Sequence, residues 1–279
     1  MAAEPRSSDT LVFLATYNER SNIDRMLDAI LGLATRCDVM VVDDNSSDGT
    51  RDRLQDRAAH EPRLHLVFRA GKLGVGSAHR LGWLYARQHG YARIVTLDAD
   101  LSHDPLDIPR LLAALDTGAD VALASRFAPG GKSDYTGYRR LVSHTGNGLS
   151  RALLRLPIKE FTTSFRAARL DRVPAGLVET VPQNGYGFFV TTVVRLARQR
   201  LRLTEIPIHF HNRHTGSSKL PKAEILRSAV NLFRLALDRR PFARLPGSAA
   251  GACGHCGASY IVDVSDGERV CLCCMNAPQ

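Results

Sequence analysis

Strand-forming runs alternate with helical segments through the first half of this chain, and that rhythm constrains its fold more than any other feature. Leu11–Ala15, Val39–Val42, Leu64–Phe68, Arg93–Leu97 and Asp120–Ala124 are short runs rich in apolar and β-branched residues. Helical segments fill the gaps, from Asn22 to about Ala34, Asp48 to His60, Val75 to His89 and Ile108 to Leu115. Near-continuous apolar strands are covered on both sides, and helical crossovers join such strands in parallel. The expectation is an α/β fold with a mostly parallel, doubly wound sheet and helices on both faces.

Polar chemistry gathers where these strands end. The first runs into Thr16-Tyr17-Asn18-Glu19, the second into Asp43-Asp44-Asn45-Ser46, and the fourth into Asp98-Ala99-Asp100. Asn, Asp and Ser also cap helices and make turns, and Asp48-Gly49 fits that role alone. Three polar clusters at the C-terminal ends of parallel strands nevertheless meet in one crevice, where open α/β sheets bind nucleotides. The hard oxygens of Asp98 and Asp100 suit Mg²⁺ or Mn²⁺, which in turn clamps a diphosphate. Gly71-Lys72-Leu73-Gly74-Val75-Gly76 adds a loop before a helix, with Lys72 placed to meet phosphate or base. Its spacing is not that of a Walker loop.

Composition sets the outer bounds. A chain of 279 residues, 44% hydrophobic, can bury a large core and carry something small beside it. No stretch approaches the ~20 apolar residues of a membrane span. Met1 to Asp9 carries Glu4, Arg6 and Asp9 and lacks the apolar core of a signal peptide. Five of the six cysteines crowd between Cys253 and Cys274, unlike a secreted disulfide framework, so a reducing cytoplasm is the expected home. The net charge of +9 favours a polyanionic partner.

Thr16-Tyr17-Asn18-Glu19, Val42-Asp43-Asp44-Asn45-Ser46, Gly71-Lys72-Leu73-Gly74 and Asp98-Ala99-Asp100-Leu101-Ser102-His103 resemble the inverting glycosyltransferases of family 2. More narrowly, they resemble the dolichyl-phosphate (polyprenyl-phosphate) mannosyltransferases. The likeness continues through Ser125-Arg126-Phe127, Ser164-Phe165-Arg166 and Asn212-Arg213-His214-Thr215-Gly216-Ser217-Ser218-Lys219-Leu220, covering roughly Thr10 to Leu237. It implies a GT-A fold over residues 1–240 that binds a nucleotide-sugar donor, GDP-mannose above others. By position, Ala15, Tyr17, Glu19, Val42 and Asp44 would hold the nucleoside. Asp98, Ala99, Asp100 and Ser102 would surround metal and diphosphate. Arg126, Arg213 and Lys219 would gather phosphate charge, a task that guanidinium forks and a mobile ammonium suit.

The implied acceptor, a polyprenyl phosphate, already carries about −1.5 to −2 charges at neutral pH and needs no strong general base. An acceptor hydroxyl on a lipid, glycan or protein would need one, and Asp134 and Glu160 are the spare carboxylates of the second half. Four positions depart from the family pattern. Ala15 replaces a usual Pro, and Glu160-Phe161-Thr162-Thr163-Ser164-Phe165-Arg166 replaces a motif that begins with Asp. Thr191 and Asn212 stand where acidic residues are common. The nucleotide end is nearly intact, and the changes concentrate where sugar and acceptor should meet.

A helix expected over 222–238 places Arg227 and Arg234 seven apart on one face, followed by the basic end Asp238-Arg239-Arg240-Pro241-Phe242-Ala243-Arg244. Such a helix can lie in the headgroup plane, making the protein peripheral on the cytoplasmic face of a membrane. Gly148 to Leu156 is a second candidate for that contact. The resemblance also implies a small membrane partner subunit. Beyond a linker at 241–252, residues 253–279 carry Cys253-x2-Cys256, fourteen residues, then Cys271-x2-Cys274. With Tyr260–Val264 as a strand, these pairs fit a structural zinc ribbon outside the family likeness. A non-enzymatic ribbon protein binding nucleic acid or protein is the alternative. Aromatics at only 6%, not interleaved with the basic residues, argue against nucleic acid.

Overall fold

The computed structural model describes residues 6–212, 222–238, 261–263 and 269–271. Arg213, Lys219, Cys253, Cys256, Cys274 and the linker at 241–252 lie outside the described residues. The expected alternation appears as β1 (Thr10–Thr16), α1 (Arg20–Leu31), β2 (Asp38–Asp43), α2 (Thr50–Ala58), β3 (Leu64–Phe68), α3 (Val75–Gln88), β4 (Arg93–Asp98), α4 (Ile108–Asp116) and β5 (Val121–Ser125). The second half adds β6 (Lys132–Ser133), α5 (Gly137–Leu154), β7 (Arg166–Arg169), α6 (Gly187–Arg198), β8 (Leu203–Pro207), β9 (His209–Phe210) and α7 (Lys222–Leu237). In the tail, β10 (Ile261–Asp263) pairs antiparallel with β11 (Arg269–Cys271), which ends on the first cysteine of the second pair.

Seven strands form one sheet in the order β3-β2-β1-β4-β7-β5-β8. All neighbours are parallel except β7, which runs antiparallel to both β4 and β5. The sequence of β7, Arg-Ala-Ala-Arg, has no strand propensity to announce it. Ala167 and Ala168 are fully buried between two apolar strands, so pairing and burial override the local preference.

Both faces of the sheet are covered, for the reason the strands are apolar throughout. Leu11 and Phe13 of β1 share a core with residues of α3 and α6. Val12 and Leu14, pointing the other way, share one with α1 and α4. Each fully buried Leu, Ile or Phe contributes about 1.5–3 kcal/mol of transfer free energy. A Cβ at Gly82 would overlap the Phe13 ring, so glycine lets α3 lie close on β1. Cys37 is buried, and that burial pushes its thiol up to about 11.

The chain leaves β1 outward to β2 and β3, then returns to place β4 on the other side of β1. That reversal opens a crevice at the C-terminal ends. Register aligns those ends: Ala15 of β1 is level with Val42 of β2 and with Asp98 of β4. Among the described residues, no helix is long and apolar enough to cross a membrane.

Candidate nucleotide-sugar site

The first wall of the crevice is built from the loops after β1, β2 and β3. Asn18 takes a positive φ of 59°, which its short polar side chain tolerates and anchors. Its backbone N–H donates to Ser46 Oγ at 2.8 Å, and its Oδ1 accepts from the Ser47 N–H at 2.9 Å. Buried Asp43 accepts from Thr16 Oγ1 at 3.1 Å and from the Ser46 N–H at 2.9 Å. Glu19 ends this wall, its Oε2 accepting from Asn22 Nδ2 at 2.7 Å and its N–H donating to Thr50 Oγ1 at 3.0 Å. Ala15 is half-buried and Val42 fully buried at the base.

Asp44 is held by a residue the sequence reading passed over. Arg69, directly after β3 and fully buried, donates through Nη1 to Asp44 Oδ1 at 2.6 Å and through Nη2 to Ser77 Oγ at 2.7 Å. The other Asp44 oxygen accepts from the Gly74 N–H at 2.9 Å. Gly74 has φ +95°, open only to glycine here, because a Cβ would press on the Asn184 backbone. The glycine-rich loop is thus fastened to the β2 end through one carboxylate. Above it, Lys72 Nζ sits 3.7 Å from the centre of the half-exposed Tyr17 ring, a cation–π contact on the crevice rim.

The second wall carries the paired carboxylates. Asp98 closes β4 and is partly open, whereas Asp100 is buried with Oδ1 accepting from the Ser102 N–H at 3.0 Å. Ala99 is buried between them. The Ser102 hydroxyl is buried with no hydrogen-bond partner among the described residues. His103 brings Nδ1 to 3.9 Å from Asp98 Oδ2 and packs its ring against Phe165 and Phe210. Two carboxylates and an unsatisfied hydroxyl on one loop form a hard oxygen donor set that fits Mg²⁺ or Mn²⁺.

Asp98 and Asp100 line a cavity of about 290 Å³. Its polar floor is Thr162, Thr163 and Ser164, and the Ser164 hydroxyl is buried without a partner among the described residues. Arg166 supports this floor from beneath, donating to the Thr163 carbonyl at 2.9 Å and the Phe189 carbonyl at 3.0 Å. The mouth changes character: Tyr138 and Val142 of α5, Tyr186 before α6 and Ser228 of α7 surround it.

Arg126, expected to gather phosphate charge, stands at the β5 end on the cavity wall. It forms a two-point pair with Glu160, Nε to Oε2 and Nη2 to Oε1, both at 2.8 Å. Burial works against the Arg126 charge, yet Glu160 raises its affinity for the proton overall. Burial likewise opposes the Glu160 charge, and Arg126 with Thr162 outweighs it, holding the carboxyl below its ordinary range. Glu160 is fully buried and committed to this pair, which corrects its standing as a spare base. Arg126 therefore brings hydrogen bonds to the cavity rather than net positive charge. Asp134 sits away from the carboxylates, bonded to His209 and His211.

The departures from the family pattern have local structural accounts. Thr191, buried on α6, accepts from Asn231 Nδ2 of α7 at 3.0 Å, so it joins two helices. Asn212 donates through Nδ2 to the Asp134 carbonyl at 3.3 Å. Around the mouth, α5 buries only Asn147 and Ser150, while Tyr138, Leu141 and Leu149 are exposed. Val230, Phe233 and Leu237 of α7 are exposed as well, with Arg227 and Arg234. In the Gly148–Leu156 stretch, Leu153, Leu154 and Leu156 pack partly on the core, leaving Leu149 outward.

Comparison with known proteins agrees with this arrangement. The model of the family described as Glycosyl transferase family 2 matches residues 11–173. The chain is 37% identical over 231 residues to an undecaprenyl-phosphate mannosyltransferase of Micrococcus luteus, covering 82% of this chain and 95% of the relative. It is 37% identical over 218 residues to a polyprenol monophosphomannose synthase of Mycolicibacterium smegmatis, covering 77% and 82% respectively. A mannosyltransferase of Pyrobaculum calidifontis, solved with GDP-Man and Mn²⁺, superposes with a TM-score of 0.56 at 20% identity, covering 85% of this chain and 66% of that one. At that identity the likeness is one of fold, the GT-A architecture.

Proposed function

The chain belongs to glycosyl transferase family 2, and from that premise we propose that it moves mannose from GDP-mannose to the phosphate of a polyprenyl phosphate, with inversion. The observation that carries the reading is the cavity itself. It joins a carboxylate pair at the nucleotide end to a mouth between α5 and α7, whose exposed side chains are apolar and basic. A donor diphosphate suits the first end and a lipid phosphate the second. Names carried by relatives at 37% identity point to the same donor sugar and acceptor class.

The chemistry asks for alignment and charge control rather than a base. An anionic oxygen of the acceptor phosphate attacks the anomeric carbon as the bond to GDP breaks, and GDP departs with the electron pair. Asp98 and Asp100 would hold the divalent ion, which supplies charge stabilisation for that diphosphate. Tyr17, Lys72 and the Asp44-tethered loop orient the nucleoside. Arg126 and Ser164 offer donors to the transferring group, while Arg213 and Lys219 are the proposed phosphate cations. A hydroxyl acceptor would need a carboxylate beside the anomeric carbon, and Glu160 is committed to Arg126.

Membrane contact through α5 and α7, from the cytoplasmic face and with or without a small partner subunit, belongs to this proposal. So does zinc in the tail, where the antiparallel pairing of β10 with β11, ending on Cys271, supports a ribbon. The decisive assay combines Mn²⁺ or Mg²⁺, polyprenyl phosphate and a panel of GDP- and UDP-sugars. Mannose label entering the lipid fraction, absent with Asp100→Ala, is the expected result. Donor binding with no labelled lipid would overturn the acceptor, and label from another donor would overturn the sugar.

A further inference from the structure

A second cluster of ligating side chains lies outside the donor site, on the clip formed by β6 and β9. The two short strands pair in parallel, Lys132 with His209 and Ser133 with Phe210. Strand alternation sends Phe210 to one side and His209 and His211 to the other. Phe210 is buried, its ring 4.9 Å from the Arg126 guanidinium and 5.0 Å from His103. On the opposite side the two imidazoles lie together, 4.2 Å between centroids. Both turn a nitrogen to one carboxylate: His209 Nε2 is 2.6 Å from Asp134 Oδ1, and His211 Nδ1 is 3.3 Å from Asp134 Oδ2. The three ligand atoms all lie within 4.8 Å of one another.

We propose that Asp134, His209 and His211 form a Zn²⁺ site, separate from the Asp98/Asp100 pair, that fastens the acceptor-side wall of the cavity. Two imidazole nitrogens and one carboxylate oxygen are a borderline donor set, suited to zinc, whereas Mg²⁺ asks for an all-oxygen shell. At zinc bond lengths of about 2.0–2.2 Å, tetrahedral ligand atoms stand roughly 3.3 Å apart. His209 is exposed and its two partners are half-buried, which leaves their side chains room to close to that spacing. Three protein ligands leave a fourth position for water.

Position gives the site its consequence. Asp134 and His209 line a recess next to the cavity that includes neither Asp98 nor Asp100, and Arg126 and Tyr135 border both spaces. Residue 134 adjoins Tyr135, whose ring packs 5.2 Å from Phe210. His211 donates its backbone N–H to the Ser102 carbonyl at 2.9 Å, two residues after Asp100. A metal joining Asp134 to His209 and His211 would therefore fix Tyr135 and Phe210 around Arg126. Coupling of this kind is reciprocal, so substrate binding would tighten the metal in turn.

The test uses the full chain and must separate this site from the tail cysteines. Wild type, His209→Gln/His211→Gln and Cys253→Ser/Cys256→Ser proteins are stripped with chelator and reloaded with Zn²⁺ at micromolar free concentration. Metal content, Co²⁺ absorption spectra and thermal midpoints are then read. The proposal expects the histidine variant to lose one equivalent that the cysteine variant keeps. It also expects a Co²⁺ spectrum without thiolate character from the cysteine variant, and a zinc-dependent rise in its midpoint. Equal metal content in wild type and histidine variant, with both folded by circular dichroism, overturns it. Should the histidine variant misfold, Asp134→Asn with unchanged zinc content overturns it equally.

Discussion

The two sides of the cavity are made differently. On the donor side, each loop after β1, β2 and β3 is cross-linked to its neighbour through buried polar groups: Asn18 to Ser46 and Ser47, Asp43 to Thr16, Asp44 to Arg69 and Gly74. On the acceptor side, the eighteen-residue α5 buries just two residues, both polar, and turns Tyr138, Leu141 and Leu149 outward. A site fixed before the ligand arrives loses little entropy on binding a small, polar nucleotide. A face left with exposed apolar groups is completed by what it meets, which under the proposed function is the membrane that holds the lipid acceptor.

The contrast is broken most severely at the carboxylate pair. Asp100→Ala should lower transfer by about 10³-fold or more, since it removes one of the two carboxylates proposed to hold the metal. Denaturation should change by only about 1 kcal/mol, the worth of a hydrogen bond such as the one Asp100 accepts from the Ser102 N–H. Loss of fold in place of activity would make Asp100 structural. Next is Arg69→Met, which strands a buried Asp44 carboxylate and should destabilise by about 3–5 kcal/mol in urea titration. The double variant Arg69→Met/Asp44→Asn should recover part of that loss. If it recovers nothing, the donor wall is not held through this pair.

How far these features could be read from sequence depends on how local they are. The five apolar runs and the Asp98/Asp100 pair are local patterns, and β1 to β5 fall within one or two residues of expectation. β6 and β9 have two residues each and no period to detect. β7 exists because β4 and β5 cover it. No motif marks Arg69, and the one signal available in the sequence is its place directly after β3, which matches that of Asp44 directly after β2. The Glu160 pair with Arg126 spans thirty-four positions, beyond any spacing rule. Burial and partnership at that range are set by the fold.

Between the two sides, Glu160 gives a smaller effect that pH can sharpen. Its carboxyl is held below the ordinary value of 4.5, so its stabilisation is present above that pH and is lost as pH falls through the folded value. Wild-type stability should therefore decline on acidification below about 4.5. Glu160→Gln should flatten that limb and cost about 2 kcal/mol at neutral pH, because the amide still accepts from Arg126. On the outer face, Leu141→Glu with Phe233→Glu should leave stability within about 0.5 kcal/mol. Binding to anionic vesicles should fall roughly tenfold, and the lipid KM should rise with it, as two apolar anchors are lost. Unchanged vesicle binding would remove α5 and α7 from the membrane contact.

The smallest effect lies on the donor rim, where Lys72 covers Tyr17. An exposed cation–π contact is worth about 0.5–1 kcal/mol, so Lys72→Ala should weaken nucleotide binding roughly two- to fivefold by calorimetry. If Lys72 acts by shaping the tyrosine wall, Lys72→Arg keeps the ring contact and retains affinity. If it meets the diphosphate as a point charge, the loss with alanine should shrink as salt rises, and GDP should suffer more than guanosine. Equal losses for GDP and guanosine would assign Lys72 to the nucleoside wall. The pre-built character of the donor side would then extend to its exposed rim.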